Sequence, residues 1–166
     1  MFQFARRLTL VIALASIITA SGCGGKNSTK SDDSNSPNSP AADDNTMGDS
    51  DTGKASGLQT VHYPYDSFVL DESGKSTLKA NAEVLKNKPS LKIQIEGHCD
   101  QRGGIQYNIA LGEKRANSAK KFLEDMGISA DRVTTVSYGK ERPVDSGTTE
   151  DAYSKNRRAN FVITSR

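Results

Sequence analysis

The sequence is poor in the residues that bind transition metals. It contains two histidines and two cysteines in 166 residues, whereas a structural zinc site needs about four such ligands. His98 and Cys99 are adjacent, and neighbouring side chains of an extended chain point in opposite directions. This pattern argues against a metal site and against a catalytic Cys-His pair. We expect both residues to serve in packing and hydrogen bonding, and we expect no cofactor.

Long apolar segments are scarce as well. Residues 8–20 form an apolar run of thirteen, which is too short for a membrane-spanning helix of about twenty residues. Arg6 and Arg7 precede this run. A positive segment followed by a short apolar one is typical of a secretory signal, so we assign residues 1–22 to a signal peptide.

The signal ends in ASGC, residues 20–23, which resembles a bacterial lipobox. In that motif the cysteine is acylated and becomes the mature N-terminus, so we expect lipid chains on Cys23 that anchor the chain to a membrane. Ala20 departs from the leucine most often found there. The alternatives are an ordinary cleaved signal with Cys23 as a free thiol, or a Cys23–Cys99 disulfide; acylation instead leaves Cys99 unpaired.

Residues 24–57 contain one methionine and otherwise no large apolar side chain. Such a segment cannot bury enough surface to offset chain entropy, so we predict a disordered linker over residues 23–57 with an extended reach of about 110 to 120 Å. The folded domain is then residues 58–166. It has 17 Lys and Arg against 14 Asp and Glu, a surplus of three, which is too small to indicate nucleic acid as a partner.

Hydrophobic periodicity in the domain predicts strands and helices in alternation. Strand patterns cover residues 59–65, 91–97, 133–139 and 159–165. A first helix is capped by Asp71 and stops before Pro89, a second covers residues 106–126, and a short helix lies near residues 150–155. The order β-α-β-α-β-(α)-β predicts an α/β (α+β) sandwich of two layers, with helices packed on a sheet.

One charged stretch, GHCDQRGGIQYNIALGEKRA (residues 97–116), joins the second strand to the second helix. Asn108, Leu111 and Arg115 share one face of that helix, and Asp100 lies on the preceding loop. A guanidinium and a carboxylate around one small space can bind a group that carries both a carboxylate and an ammonium. From spacing alone, a ligand clamp and a plain Asp100–Arg115 salt bridge are equally good interpretations.

This stretch, VSYGKERP (136–143) and YSKNRRA (153–159) resemble the OmpA-like C-terminal domain family, in particular its lipoproteins that associate with peptidoglycan. The resemblance runs over residues 59–165 and implies a mixed four-stranded sheet. It also implies non-covalent binding of the meso-diaminopimelate residue of peptidoglycan through Asp100 and Arg115, with Asn108 and Leu111 completing the pocket. Further contacts implied by the resemblance are Asp66 and Arg158, although Arg157 and Arg158 could equally be a solvated surface pair.

The resemblance further implies a lipid-anchored protein of the outer membrane, facing the periplasm, that links this membrane to the cell wall. The residue directly after Cys23 is Gly24 and not an aspartate, which in this position would resemble an inner-membrane retention signal. This favours the outer membrane. TolB and TolA are the implied protein partners, in a system for envelope integrity and cell division. The alternative is a lipoprotein that acts mainly as a protein-interaction module outside the Tol system.

An enzyme is the remaining class of function. Residues 76–79 and 118–121 both fit the S-x-x-K pattern of penicillin-binding proteins. The pattern is short, no K-T-G follows, and the domain is small for that catalytic scaffold. We therefore expect no catalytic activity.

Overall fold

A computed structural model describes residues 48–166. The expected signal peptide, the acylation site at Cys23 and linker residues 24–47 lie outside the described residues. Among residues 48–166, no helix combines the length and the apolar character needed to cross a membrane.

The described chain contains four strands and three helices, and their order confirms the predicted one. The strands are β1 (Val61–His62), β2 (Lys92–His98), β3 (Val133–Gly139) and β4 (Arg158–Ser165). The helices are α1 (Glu72–Asn87), α2 (Ile105–Asp125) and α3 (Glu150–Asn156), and a 3-10 turn at Ala130–Arg132 precedes β3.

The strands form one mixed sheet in the order β1-β4-β2-β3. β4 is antiparallel to both of its neighbours, whereas β2 and β3 are parallel and have α2 between them in the chain. A parallel pair needs such a crossover, because the chain must return to the same end of the sheet. The loop that follows β2 and the start of α2 therefore lie at the same end of the sheet.

The core forms where α1 and α2 pack against the sheet, as the two-layer prediction required. α1 contributes Leu78, Ala82 and Leu85 at the predicted spacing, and its N-terminus is capped by Asp71, whose carboxylate accepts from the Gly74 N–H at 2.7 Å. α2 buries Ala116, Ala119 and Leu123. The sheet contributes Ile93, Ile95, Val133, Phe161 and Ile163.

The first strand is shorter than predicted. Of residues 59–65, whose composition predicted a longer strand, only Val61 and His62 pair with β4. Tyr63 adds one further hydrogen bond, from its N–H to the Arg157 carbonyl at 2.8 Å. Pro64 ends the ladder because it has no N–H to donate.

Residues 48–57 correct the predicted linker boundary, because they pack on the domain. The Ser50 N–H donates to the Phe161 carbonyl, and the Ile163 N–H donates to the Gly48 carbonyl, both at 3.0 Å. Ala55 is fully buried in the core. Composition missed this segment because its binding to β4 uses backbone groups and small polar side chains, which hydrophobic patterns do not register.

Candidate functional site

A cavity of about 200 Å³ opens where the segment after β1, the loop after β2 and the start of α2 meet. It is smaller than the pockets of about 300 to 1,000 Å³ that enclose drug-sized ligands. Its size therefore suits the charged end of one amino-acid side chain of a ligand. Its walls carry both signs of charge and two tyrosines: Tyr65, Asp66, Asp100, Arg102, Gly103, Tyr107, Asn108, Leu111 and Arg115.

Five of the six ligand residues expected from the sequence line this cavity: Asp66, Asp100, Asn108, Leu111 and Arg115. The three helical residues lie on one face of α2, as their spacing predicted, and all three are buried. The structure therefore brings together the two loops and the helix face that were expected to form one site.

Arg115 is buried at 1% exposure, and backbone carbonyls hold its guanidinium. It donates from Nε to Ser67 at 2.8 Å, from Nη1 to His98 at 2.9 Å and from Nη2 to Pro64 at 3.1 Å. Burial lowers its pKa, but an arginine remains charged. Among residues 48–166, no carboxylate lies within ion-pair distance of Arg115, so no salt bridge compensates its positive charge.

Asp100 is paired, but not with Arg115. Its carboxylate accepts from Arg102 Nη2 at 2.7 Å and from Arg157 Nη1 at 3.3 Å. Burial by itself would raise the pKa of Asp100, but the hydrogen bonds from these two arginines outweigh it, and the pKa lies below its usual value. The alternative of an Asp100–Arg115 salt bridge is therefore wrong.

Asp66 has an unusual backbone conformation at the cavity wall. Its φ of 50° lies in the left-handed region, which aspartate tolerates better than most side chains and which is often found at binding sites. Its carboxylate accepts a hydrogen bond from the Tyr107 hydroxyl. No cationic side chain among the described residues forms a salt bridge with it, so Asp66 is an exposed carboxylate of the cavity wall that has no charged protein partner there.

Asn108 fixes the loop between β2 and α2. Its Nδ2 donates to the Arg102 carbonyl at 2.8 Å and to the Gly104 carbonyl at 3.2 Å. Its Oδ1 accepts from no protein donor within residues 48–166, so this oxygen stays available for a ligand. Leu111 supplies an apolar wall next to these polar groups.

Arg158 lies elsewhere, which corrects the expectation that it lines the pocket. Its Nε donates to Asp51 at 2.7 Å, in the segment that packs on β4. Arg157, its neighbour, reaches Asp100 instead. Successive side chains at the start of a strand point to opposite sides, so only one of the two arginines can face the site.

The prediction for the two residues before Asp100 holds only in part. The Cys99 thiol is buried, has no disulfide partner within residues 48–166 and donates to the Asn108 carbonyl at 3.3 Å, and burial raises its pKa. His98 packs on Tyr138 with ring centroids 5.7 Å apart. Within residues 48–166 neither of its ring nitrogens has a hydrogen-bond partner, so the expected side-chain hydrogen bonds of His98 are absent from this part of the chain. Glu96 Oε2 lies 3.5 Å from His98 Nε2, and the two atoms are not aligned for a hydrogen bond.

Sequence reasoning did not assign four residues that line the cavity, namely Tyr65, Arg102, Gly103 and Tyr107. For Arg102 a signal was present, because it is a charged residue two positions after Asp100 in the same loop. Its guanidinium lies 4.1 Å from the centre of the Tyr65 ring and 4.5 Å from that of Tyr153. The contact with Tyr153 depends on α3, far along the chain, and no local pattern predicts it.

Comparison with known proteins gives consistent relatives. The OmpA family matches residues 62–157. A peptidoglycan-associated lipoprotein of Brucella melitensis is 33% identical over 166 residues, which cover 97% of this chain and 95% of that protein. One from Buchnera aphidicola is 43% identical over 103 residues, but the match spans only 60% of its length and 62% of this chain.

A solved structure agrees with these sequence relatives. The crystal structure of the peptidoglycan-associated lipoprotein from Burkholderia pseudomallei is 36% identical and superposes with a TM-score of 0.61. The superposition covers 63% of this chain and 88% of that one. Together, these matches confirm the resemblance that the three sequence motifs indicated.

Proposed function

The chain belongs to the OmpA family, and on that basis we propose that its domain binds peptidoglycan without covalent chemistry, through the meso-diaminopimelate residue of the stem peptide. The protein is then an outer-membrane lipoprotein that connects this membrane to the cell wall. It performs no catalysis.

The observation that carries this proposal is the pair of uncompensated charges in one small cavity. Within residues 48–166, three carbonyl oxygens and the Tyr63 ring at 5.4 Å contact the Arg115 guanidinium, and the Tyr107 hydroxyl contacts the Asp66 carboxylate. Neither side chain has an oppositely charged partner there. The free end of diaminopimelate carries an ammonium and a carboxylate on the same carbon. Such a zwitterion supplies each of these charges with its partner.

The contacts then follow from the chemistry of each side chain. Three of the five N–H groups of Arg115 are used by carbonyls, and the remaining two can donate to the ligand carboxylate. An ammonium has three N–H donors, and the carboxylates of Asp66 and Asp100 can accept hydrogen bonds from them. The Asn108 Oδ1 is a further acceptor, and Leu111 packs against the methylene groups of the ligand. Arg158 has no direct role.

Calorimetric titration with two stem peptides tests the assignment. One peptide contains meso-diaminopimelate, and the other has lysine in its place, which lacks the second carboxylate. We expect the lysine peptide to bind at least about tenfold more weakly, since a charge-assisted hydrogen bond contributes roughly 1.5 to 3 kcal/mol. Equal affinity for the two peptides would refute the assigned role of Arg115.

The ammonium contact is tested separately with Asp66→Asn, which keeps the shape of the side chain and removes its charge. We expect about tenfold weaker binding of the diaminopimelate peptide. Asp125→Asn is the matched control, because Asp125 is exposed at the far end of α2 and pairs with Lys121 at 3.0 Å. If both variants lose affinity equally, net charge rather than a contact is responsible.

Membrane attachment rests on the lipobox, so Cys23→Ser tests it. We expect this variant to move from the membrane fraction to the soluble fraction while the domain stays folded. Continued sedimentation of the variant with outer membranes would contradict a lipid anchor at Cys23.

Protein partners of the Tol type are a second component of the proposal, supported by exposed apolar side chains beside the cavity. Phe68, Val69 and Ile105 are 42%, 65% and 53% exposed and lie within three positions of the cavity residues Asp66 and Gly103 in the chain; exposed apolar patches often mark protein-binding surfaces. Phe68→Ser with Val69→Ser should weaken binding of a TolB-like protein and leave peptide binding unchanged. Val144→Ser, which changes an exposed apolar residue outside the cavity lining, is the control.

A further inference from the structure

We propose that Arg102 is an internal competitor of the ligand: its guanidinium occupies Asp100 before the ligand binds, and the ammonium group of the ligand takes its place. The inference rests on the proposed function, because it concerns the same cavity. It makes Arg102 a residue that determines the specificity of binding rather than one that attracts the ligand.

The contacts of Asp100 leave no free position on its carboxylate. Oδ1 accepts from the backbone N–H and the Nε of Arg102, at 3.1 Å and 3.3 Å. Oδ2 accepts from Arg102 Nη2 at 2.7 Å and from Arg157 Nη1 at 3.3 Å. A carboxylate has about four acceptor positions, so an ammonium can bind Asp100 only by replacing one of these donors.

Arg102 is the donor that can leave. The Arg157 side chain is 8% exposed, and it is held from two other directions, by the Tyr63 carbonyl at 3.1 Å and by Glu150 at 2.8 Å. The Arg102 side chain is 35% exposed and lines the cavity itself. Its movement uncovers Asp100 toward the cavity without opening the core.

The surroundings of Arg102 offer its charge a second position. Glu150 Oε2 lies 3.3 Å from Nη1, and the rings of Tyr65 and Tyr153 lie on its guanidinium. A guanidinium between two aromatic rings keeps part of its stabilisation after it leaves a carboxylate. A small rotation toward Glu150 therefore gives up the Asp100 carboxylate and keeps the Glu150 carboxylate as an anionic partner.

Arg102 suits the ligand carboxylate less well than Arg115 does, because two carboxylates of the protein already neutralise its charge. Nε and Nη2 donate to Asp100, and Nη1 lies within ion-pair distance of Glu150. The guanidinium of Arg115, in contrast, has no carboxylate partner within residues 48–166; it donates to three neutral carbonyls and lies 5.4 Å from the centre of the Tyr63 ring. A ligand that lacks an ammonium cannot displace Arg102, so the competitor favours zwitterionic ligands over plain acids.

The test is the substitution Arg102→Met in the purified full chain, measured by calorimetric titration with the diaminopimelate peptide. Methionine keeps an unbranched side chain and removes the competing charge. We expect the dissociation constant to fall at least about threefold, since an ion pair that must be broken subtracts its own free energy from that of binding. A matched peptide whose terminal ammonium is acetylated should gain nothing from the substitution.

Arg142→Met is the control for net charge. Arg142 also stacks on a tyrosine, with its guanidinium 3.6 Å from the ring centre of Tyr138, but it does not line the cavity. Its substitution should leave the dissociation constant unchanged. Circular dichroism of both variants checks that the fold is retained.

The outcomes separate this inference from the proposed function. Tighter binding by Arg102→Met alone supports the competitor. Weaker or unchanged binding by Arg102→Met, with normal binding by the wild type, overturns the competitor and leaves the proposed function intact. Absence of binding by both the wild type and Arg102→Met overturns the two together.

Discussion

Gly97 of β2 and Gly112 of α2 face each other so closely that neither position has room for a side chain. A Cβ atom added at Gly97 would overlap the carbonyl oxygen of Gly112, and one added at Gly112 would lie 2.8 Å from the carbonyl oxygen of Gly97. Asp100 follows Gly97 by three residues, and Arg115 follows Gly112 by three. This contact between backbones therefore sets the distance between the two walls of the cavity.

Gly97→Ala should destabilise the domain by about 1 to 3 kcal/mol, the usual cost of overpacking, because α2 must move away from β2. Gly104→Ala is the matched control, since an added Cβ there meets nothing within 4 Å and the φ of Gly104 is −77°. Urea unfolding measures the difference. A Gly97→Ala domain as stable as the wild type would contradict the close packing.

Arg115 stabilises the fold as well as lining the cavity. Arg115→Met should lower the free energy of unfolding by about 3 kcal/mol or more, since three buried carbonyls lose a charged donor. Arg132→Met is a matched comparison, because Arg132 also donates to three carbonyls, those of Leu85, Lys88 and Leu91. Both variants should be destabilised in urea unfolding, but only Arg115→Met should lose peptide binding in its folded fraction.

The sequence predicted those parts of the molecule that depend on local pattern. Helix α1 and its Asp71 cap, the face of α2 that carries Asn108, Leu111 and Arg115, and the two-layer fold all follow from periodicity and end signals. The family resemblance supplied Asp66. Local pattern could not supply Arg157 as a partner of Asp100, because Arg157 comes from the other end of the domain.

The same limit explains the other differences. The Gly97–Gly112 contact leaves no hydrophobic signature, and two adjacent arginines cannot be assigned to opposite sides of a strand until its register is known. The segment at residues 48–57 binds through its backbone and through Ser50 and Asp51, which look like linker residues in composition. Each of these features depends on contacts between distant parts of the chain.

Because of Tyr63, we expect the stability of the domain to depend on pH in the alkaline range. Burial raises the pKa of its phenol to about 12, and its hydroxyl donates to the Arg115 carbonyl at 2.8 Å. Because the unfolded chain loses this proton near pH 10, the stability due to neutral Tyr63 is present below pH 10 and is lost as pH rises toward 12. Over this interval the loss should be roughly 2 to 3 kcal/mol.

Tyr63→Phe isolates this contribution from other groups that titrate in the same range. Urea unfolding between pH 8 and pH 12 should show the stability difference between the two proteins shrinking as pH rises. The Arg115 carbonyl keeps a donor in the variant, since the Ser118 hydroxyl lies 2.9 Å away. Parallel pH dependences would rule out a buried, neutral phenol at this position.

Because of Asp100, we expect the stability of the domain to depend on pH in the acid range as well. Here stability is lost as pH falls, whereas for Tyr63 it is lost as pH rises. The pKa of its carboxyl is lowered by Arg102 and Arg157 against the effect of burial. Its contribution is therefore present above the ordinary aspartate pKa of about 3.9 and is lost as pH falls through the lowered value. We expect Asp100→Asn to be less stable than the wild type at pH 7, and the difference to narrow in acid unfolding measurements below about pH 4.

The final prediction concerns where the domain begins. A chain that starts at residue 58 loses both backbone hydrogen bonds to β4, the buried Ala55 and the Asp51 partner of Arg158. Arg158 is 4% exposed, and a buried charge without its partner is costly. We expect the free energy of unfolding of this chain to be lower, by at least about 3 kcal/mol, than that of a chain that starts at residue 48.

Asp51→Asn in the longer chain should account for part of the loss, because it removes the charge and keeps the backbone contacts. If the two chains unfold at the same urea concentration, residues 48–57 are a linker after all, and the contacts with β4 contribute nothing to the fold.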